Sequence, residues 1–388
     1  MKIGIDIRAI GRQRTGDETY TLNLVKKLLK IDKNNQYFLF TNTKNKKEIE
    51  EITDKITDGR KMPANAEIVP VLPAGKLFWT FSALPLKARE LELDILHVQY
   101  ITPLFFIGKT KIVTTVHDLS FIRYAEHIKK SDLLFLKTLI PMSLRRAFRV
   151  IGVSDFTKSE ILKNYKISKK KIRAVNNGGA SDDFLDKAKK SGAKLAVAKP
   201  YIFYVGTHQP RKNIPLLIRA FVRMKKERCD SPEARKLKLC LAGKRGGHNY
   251  DPKIDEALEE IGDTEDAKYL KYIIFPGYVA LEELPHYYKE SECFVFPSLY
   301  EGFGLPLLEA METRTPVVCS DIPCFREVAG QAALMFDSKC EKDLANKIFQ
   351  VIMNNELRNK LIQKGKEKTK EFSWEKCAEE TLRVYQEK

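Results

Sequence analysis

At 388 residues and 43% hydrophobic, the chain can bury a large core and is long enough for roughly two or three domains. It holds no apolar run of the length that crosses a bilayer, and the opening Met1-Lys2-Ile3-Gly4-Ile5-Asp6 reads as a first strand rather than a signal peptide, which predicts a cytoplasmic protein. The formal net charge of +17 favours polyanionic partners, yet neither a zinc-finger spacing nor an RNP-type aromatic strand occurs, so no specific nucleic acid is expected as a partner.

Short apolar runs alternate with amphipathic stretches along the chain. Strands are predicted at Ile3–Ile7, Tyr37–Thr41, Ile95–Val98, Ile112–Val116 and Val150–Val153. A polar stretch over 181–199 lacks periodicity and is followed by Pro200, so it reads as a linker. Beyond it come strands at Tyr201–Val205, Leu237–Ala242, Ile273–Phe275, Cys293–Phe296 and Val317–Ser320. Helical patterns fall between them at Tyr20–Lys30, Phe156–Tyr165 and Ile214–Arg228, with another at Asp343–Asn354 and a last one around Trp374–Tyr385. Strand–helix alternation of this kind means an α/β fold with doubly wound parallel sheets, here two Rossmann-like halves facing a cleft.

In such sheets ligands bind at the carboxyl ends of strands, so the residues just after each strand are the candidates for a site. After the first strand, Thr15-Gly16-Asp17-Glu18 opens a helix; Gly16 would let a ligand approach the backbone, and an ordinary capping turn is the alternative. His117 and Asp118 come directly after the strand ending at Val116; a locally bonded core histidine competes with a functional one, and Asp118 suits a helix cap as well as orienting His117. Between Lys129 and Arg173, thirteen Lys/Arg face only Asp132, Asp155 and Glu160, a basic surface or a set of solvated helices. Seven scattered cysteines without a CxxC pair read as reduced thiols, and no structural zinc is expected.

The second half carries the stronger signals. Arg211 and Lys212 lie between a strand and a helix, placed to neutralise a diphosphate by charge-assisted bonds. Further on, Glu301-Gly302-Phe303-Gly304-Leu305-Pro306-Leu307-Leu308-Glu309 sets two carboxylates eight residues apart around a glycine turn. Pro306 fits a first helical turn, and a strand–glycine–helix junction aims free N–H groups at one point. Glu301 would stand at the mouth of the turn and Glu309 in the helix's first turn. An anion site flanked by carboxylates suits a ligand with a diphosphate and many hydroxyls, such as a sugar nucleotide; two solvated glutamates are the alternative. No Asp-x-Asp triplet occurs, so the expectation is a site without an essential metal or cofactor.

Taken in order, Val116-His117-Asp118, Val153-Ser154-Asp155-Phe156-Thr157, Asn177-Gly178, Gly206-Thr207-His208-Gln209-Pro210-Arg211-Lys212-Asn213 and the Glu301–Met311 segment resemble retaining glycosyltransferases of the GT-B fold, family 4-like, in the mannosyltransferase-like group. The resemblance implies an acceptor-side domain over 1–180, a nucleotide-sugar domain over 200–370 and a C-terminal helix over 371–388 that packs back on the first domain. It implies that Glu309 binds the ribose hydroxyls and that Glu301 contacts the donor sugar. Arg211, Lys212 and the backbone N–H groups of Phe303, Gly304 and Leu305 would hold the diphosphate, Gly16 would meet it across the cleft, and His117 would help at the reaction centre. Tyr278 and Val279 lie in the strip that receives the base. Two departures stand out: Thr207 where many members carry Arg, and Asp17-Glu18 where many continue with an apolar residue and Gly.

The resemblance further implies hexose transfer to a glycan or lipid-linked acceptor, with GDP-mannose first and a UDP-hexose as the alternative donor. A catalytically idle nucleotide-binding scaffold is a further alternative, and a polyanion-binding module rests on net charge alone. Some relatives dock a basic, apolar helix on anionic membrane, and Lys129–Phe148 has that character, although Pro141 interrupts its pattern. Docking would put the protein peripherally at the inner face; a helix covering the sheet needs the same apolar face.

Overall fold

The computed structural model describes residues 1–11, 16–72, 75, 78–103, 108–189, 195–246 and 249–388. The chain divides into two compact units, one comprising 1–125, 129–178 and 372–388, the other 126–128 and 179–371. Thr15 and residues 190–194 of the expected linker lie outside the described residues. Among the described residues no helix is long and apolar enough to cross a membrane.

The first unit is built on a parallel sheet of seven strands: β1 (Lys2–Asp6), β2 (Gln36–Thr41), β3 (Ala66–Pro70), β4 (Ile95–Gln99), β5 (Lys111–Val116), β6 (Arg149–Gly152) and β7 (Ile172–Ala174). Their order is β3-β2-β1-β4-β5-β6-β7, so the winding reverses between β1 and β4. Central strands are buried on both faces, as parallel strands covered by helices must be: Ile3, Tyr37, Leu39, Leu96, Val113, Val150 and Ile151 are all almost fully buried. The helix Trp374–Gln386 packs against the helix Gly16–Ile31 and ends with Glu387 between Arg149 and Arg173, the Arg173 Nη2–Glu387 Oε2 distance being 2.7 Å.

The second unit holds six parallel strands: β8 (Tyr201–Val205), β9 (Lys238–Ala242), β10 (Ile273–Gly277), β11 (Cys293–Phe296), β12 (Val317–Ser320) and β13 (Ala333–Phe336), in the order β10-β9-β8-β11-β12-β13. Successive strands run outward from β8 in one direction and from β11 in the other, which makes the β8/β11 carboxyl ends a topological switch point. An aromatic cluster lies beneath it, with Phe203 edge-on to Tyr288 at 5.1 Å and Phe296 stacked on Phe325 at 5.2 Å.

Two sequence expectations change. Within the expected linker, Asp182–Lys189 form a helix whose Phe184 is fully buried edge-on to Tyr288 at 6.0 Å; one apolar anchor on a short helix is too little for a periodic signal. Within Lys129–Phe148 the helix runs unbroken from Lys130 to Arg146 through Pro141, the residue expected to interrupt it. All seven cysteines are unpaired, and burial pushes the thiols of Cys240, Cys293 and Cys377 up to about 12.

Candidate active site

Two loops meet at the switch point of the second unit. After β8 the chain crosses exposed Thr207 and makes a 3-10 turn at Pro210–Lys212; Asn213, at φ 56°, reverses it into the helix Ile214–Glu227. After β11 it passes Pro297 and Ser298 to Tyr300 and Glu301. The loops are joined by the Leu299 N–H, which donates to the Arg211 carbonyl at 2.8 Å, and by Arg211 Nη1, which donates to the Tyr300 carbonyl at 3.2 Å.

Glu301 is buried between two cations: Arg211 Nη1 lies 2.9 Å from its Oε2, and the Lys212 ammonium pairs with its Oε1. Burial pushes this carboxyl up, but Arg211 and Lys212 outweigh it and hold the group down at about 2. Lys212 is itself 7% exposed and sits 5.0 Å over the Phe296 ring. The three side chains therefore carry a net positive charge in a poorly solvated place. That arrangement attracts a phosphate more strongly than the same charge in water.

The glycine turn comes at once. Gly304 adopts φ 106° and precedes the helix Leu305–Glu312, with Pro306 in its first turn as expected. A Cβ at Gly304 would lie 3.1 Å from Phe325 Cε1, so both backbone angle and space require glycine. Among the described residues no acceptor takes the N–H of Gly304 or Leu305, and these are the orphan donors of a helix start.

Glu309 is the fifth residue of this helix and so opens its second turn, not the first; the Gly304 conformation delays the helix start to Leu305. Its carboxylate is buried and accepts from the Tyr288 hydroxyl at 3.0 Å. One turn on, Glu312 accepts from the Ala180 N–H at 3.3 Å; burial and the nearby Glu309 and Asp182 push its carboxyl up to about 7. At the end of β10, Tyr278 is 54% exposed, whereas Val279 is buried.

In the first unit, His117 comes after β5 and its Nε2 lies 3.0 Å from the Gln99 Oε1 and 3.8 Å from the Asp17 carboxylate. The Tyr20 ring meets it edge-on at 4.8 Å. The Asp118 carboxylate accepts from the Ser120 N–H two residues on at 2.9 Å. Gly16 begins the helix Gly16–Ile31, and a Cβ there would meet nothing within 4 Å among the described residues. The structure thus gathers Arg211, Lys212, Glu301, Phe303, Gly304, Leu305 and Glu309 in one unit, with Gly16 and His117 in the other. Sequence reasoning missed Tyr288 and Gln99, which hold Glu309 and His117; neither belongs to a motif, and only the fold brings them close. Among the described residues no group of His, Cys, Asp and Glu is placed to hold a metal ion.

Two doubly wound parallel sheets in one chain are the architecture of the GT-B fold, which solved glycosyltransferases of similar fold share. Residues 14–179 match the family described as Glycosyltransferase Family 4, residues 186–368 match Glycosyl transferases group 1, and the chain belongs to this family. It is 32% identical over 280 residues to the O-antigen chain mannosyltransferase B of Escherichia coli, covering 71% of this chain and 70% of that one. Over 228 residues it is 30% identical to the O-antigen chain mannosyltransferase RfbU of Salmonella typhimurium, covering 59% and 57%. Among solved structures it resembles a sucrose-phosphate synthase from Thermosynechococcus elongatus (TM-score 0.72, 19% identity, 99% and 98% covered). Anabaena HepE, solved with UDP and glucose, is similar in fold (TM-score 0.69, 16% identity, 100% and 99% covered).

Proposed function

We propose that the protein is a retaining, metal-independent mannosyltransferase that moves mannose from GDP-mannose to an acceptor hydroxyl in polysaccharide, glycan or glycolipid synthesis. The observation that carries the donor site is the meeting of Arg211, Lys212 and the open N–H groups of Gly304 and Leu305 at the β8/β11 switch point. The likeness to O-antigen chain mannosyltransferases supports the sugar.

In this reading the diphosphate lies against Lys212, Arg211 and the glycine turn, where protein cations supply the charge that a metal supplies elsewhere. Glu309, held by Tyr288, accepts from the ribose hydroxyls. Tyr278 and Val279 receive the base. Glu301 addresses the sugar, and His117, with Gly16 nearby in its own unit, serves the reaction centre. The anomeric C–O bond to phosphate breaks as the bond to the acceptor oxygen forms on the same face, and the acceptor proton passes to the departing phosphate oxygen.

The helix Lys130–Arg146 exposes Leu134 and Met142 beside Lys137, Arg145 and Arg146, which supports peripheral contact with anionic membrane. Salt-sensitive pelleting with anionic vesicles is expected, and none would remove that contact. The test of the main reading is turnover of GDP-mannose and UDP-glucose on a hydroxyl acceptor, with and without EDTA. Mannose transfer that survives EDTA, with the product keeping the donor's anomeric configuration by NMR, is expected. Transfer from UDP-glucose alone would move the assignment to a UDP-hexose.

A further inference from the structure

The back of the glycine turn is packed by the helix Pro323–Val328, and two successive residues of that helix touch it. Phe325 lies against the Cα of Gly304, as the 3.1 Å approach of a Cβ there shows. Its neighbour Cys324 is fully buried, and its thiol donates to the Phe303 carbonyl oxygen with Sγ and O 2.9 Å apart. That carbonyl belongs to the same peptide unit as the Gly304 N–H. In a planar trans peptide the C=O and N–H point in opposite directions. A bond that grips the Phe303 oxygen from behind therefore fixes the direction in which the Gly304 N–H points.

Such a grip matters at this peptide more than at most. Gly304 has no Cβ to restrict it and sits at φ 106°, so rotation of the Phe303–Gly304 peptide meets little local resistance. The Gly304 N–H and the adjacent Leu305 N–H have no acceptor among the described residues. They are useful as anion donors only if they stay aimed.

We propose that Cys324 is a positioning residue of the glycosyltransferase: its S–H bond to the Phe303 carbonyl holds the Gly304 N–H on the phosphate of the donor. This rests on the donor-site reading above. It assigns to a buried cysteine outside every motif a part in donor affinity, and it requires a donor at position 324 rather than sulfur as such.

The test compares Cys324→Ala, which removes the donor, with Cys324→Ser, which keeps one on a shorter arm. Readouts are the dissociation constant of GDP, the donor KM, kcat and the thermal midpoint. The alanine variant is expected to bind GDP about three- to tenfold more weakly and to raise KM by the same factor, the worth of one modest hydrogen bond. Its kcat should change less than twofold, and serine should recover most of the affinity. Unchanged GDP affinity in the alanine variant overturns the proposal. So does a serine variant as weak as alanine, since packing rather than donation would then be the cause. Should alanine not fold, Cys324→Val, which fills the space without a donor, replaces it with the same expectation. If neither folds, Cys324 is a core residue and the proposal falls. Glu309→Ala, measured in parallel, separates the two claims: if it too leaves GDP affinity unchanged, the donor site itself is misplaced.

Discussion

At the scale of single residues, the arrangement of Glu301 between Arg211 and Lys212 has the sharpest consequences. Two cations and one anion, mostly buried, form a unit in which each charge depends on the others. Replacing Glu301 by Gln removes the negative charge beside both cations while keeping the shape of the side chain. GDP should then bind as tightly as to the wild type or several-fold more tightly, whereas, if Glu301 addresses the sugar as proposed, kcat for transfer should fall at least about a hundredfold. Calorimetric titration with GDP, alongside turnover, checks both halves. A parallel loss of GDP affinity would mean that Glu301 supports the cations rather than competing for them. The motif residues themselves were legible in the sequence, since glycine, proline and carboxylate at fixed spacing have local meaning. That Glu301 pairs with Lys212, 89 positions earlier, and with the adjacent Arg211 was not, because such contacts exist only once β8 and β11 are neighbours.

At the scale of elements, the long central strands and amphipathic helices were readable from periodicity alone, and the structure places them within a few residues of expectation. Strands β3, β7 and β13 were missed. β3 and β7 close the ends of one sheet and β13 ends the other: Ile172–Ala174 has only three residues, Ala66–Pro70 is nowhere fully buried, and Ala333–Phe336 is buried only at its two ends, so none shows a continuous buried run. Gly178, after β7, has a definite reason to be glycine. A Cβ at Gly178 would lie 2.4 Å from the Trp374 Cγ and 2.5 Å from its backbone nitrogen, where the last helix begins. Gly178→Ala must therefore push that helix start away. It should cost about 1–3 kcal/mol in denaturant unfolding, the usual range for overpacking a filled site. A variant as stable as the wild type would show that the helix start yields freely.

At the scale of the whole molecule, stability should depend on pH through a few buried groups. Burial holds the imidazole of His97 down to about 3, with the neighbouring His117 adding to the effect, and burial holds His208 down to about 4, with Arg245 adding. Both are neutral in the folded protein where the unfolded chain would protonate them, below their ordinary value near 6.5. Each therefore contributes stability above about pH 6.5 that is lost on acidification. Glu312 works the other way: raised to about 7 from 4.5, it keeps a proton in the fold that the unfolded chain releases, so its contribution fades as pH rises through that window. Between about pH 4.5 and 6, two protons bound on unfolding less one released leave a net uptake of one. Stability should fall by about 1.4 kcal/mol for each pH unit of acidification there. His97→Gln should flatten that slope in chemical-denaturation curves taken across the window; an unaltered slope would show that His97 is not the group that titrates.

The transfer reaction proposed for this protein depends on the second unit binding the nucleoside diphosphate at the β8/β11 switch point, with Glu309 on the ribose. Isothermal titration of the full chain and of Glu309→Ala with GDP, with UDP as comparison, examines that binding itself. Wild-type binding selective for GDP and at least about tenfold weaker in Glu309→Ala, with the thermal midpoint kept, is the predicted result, since a hydrogen bond to a charged acceptor is worth about 1.5–3 kcal/mol. Equal affinity of the two proteins for GDP would contradict it.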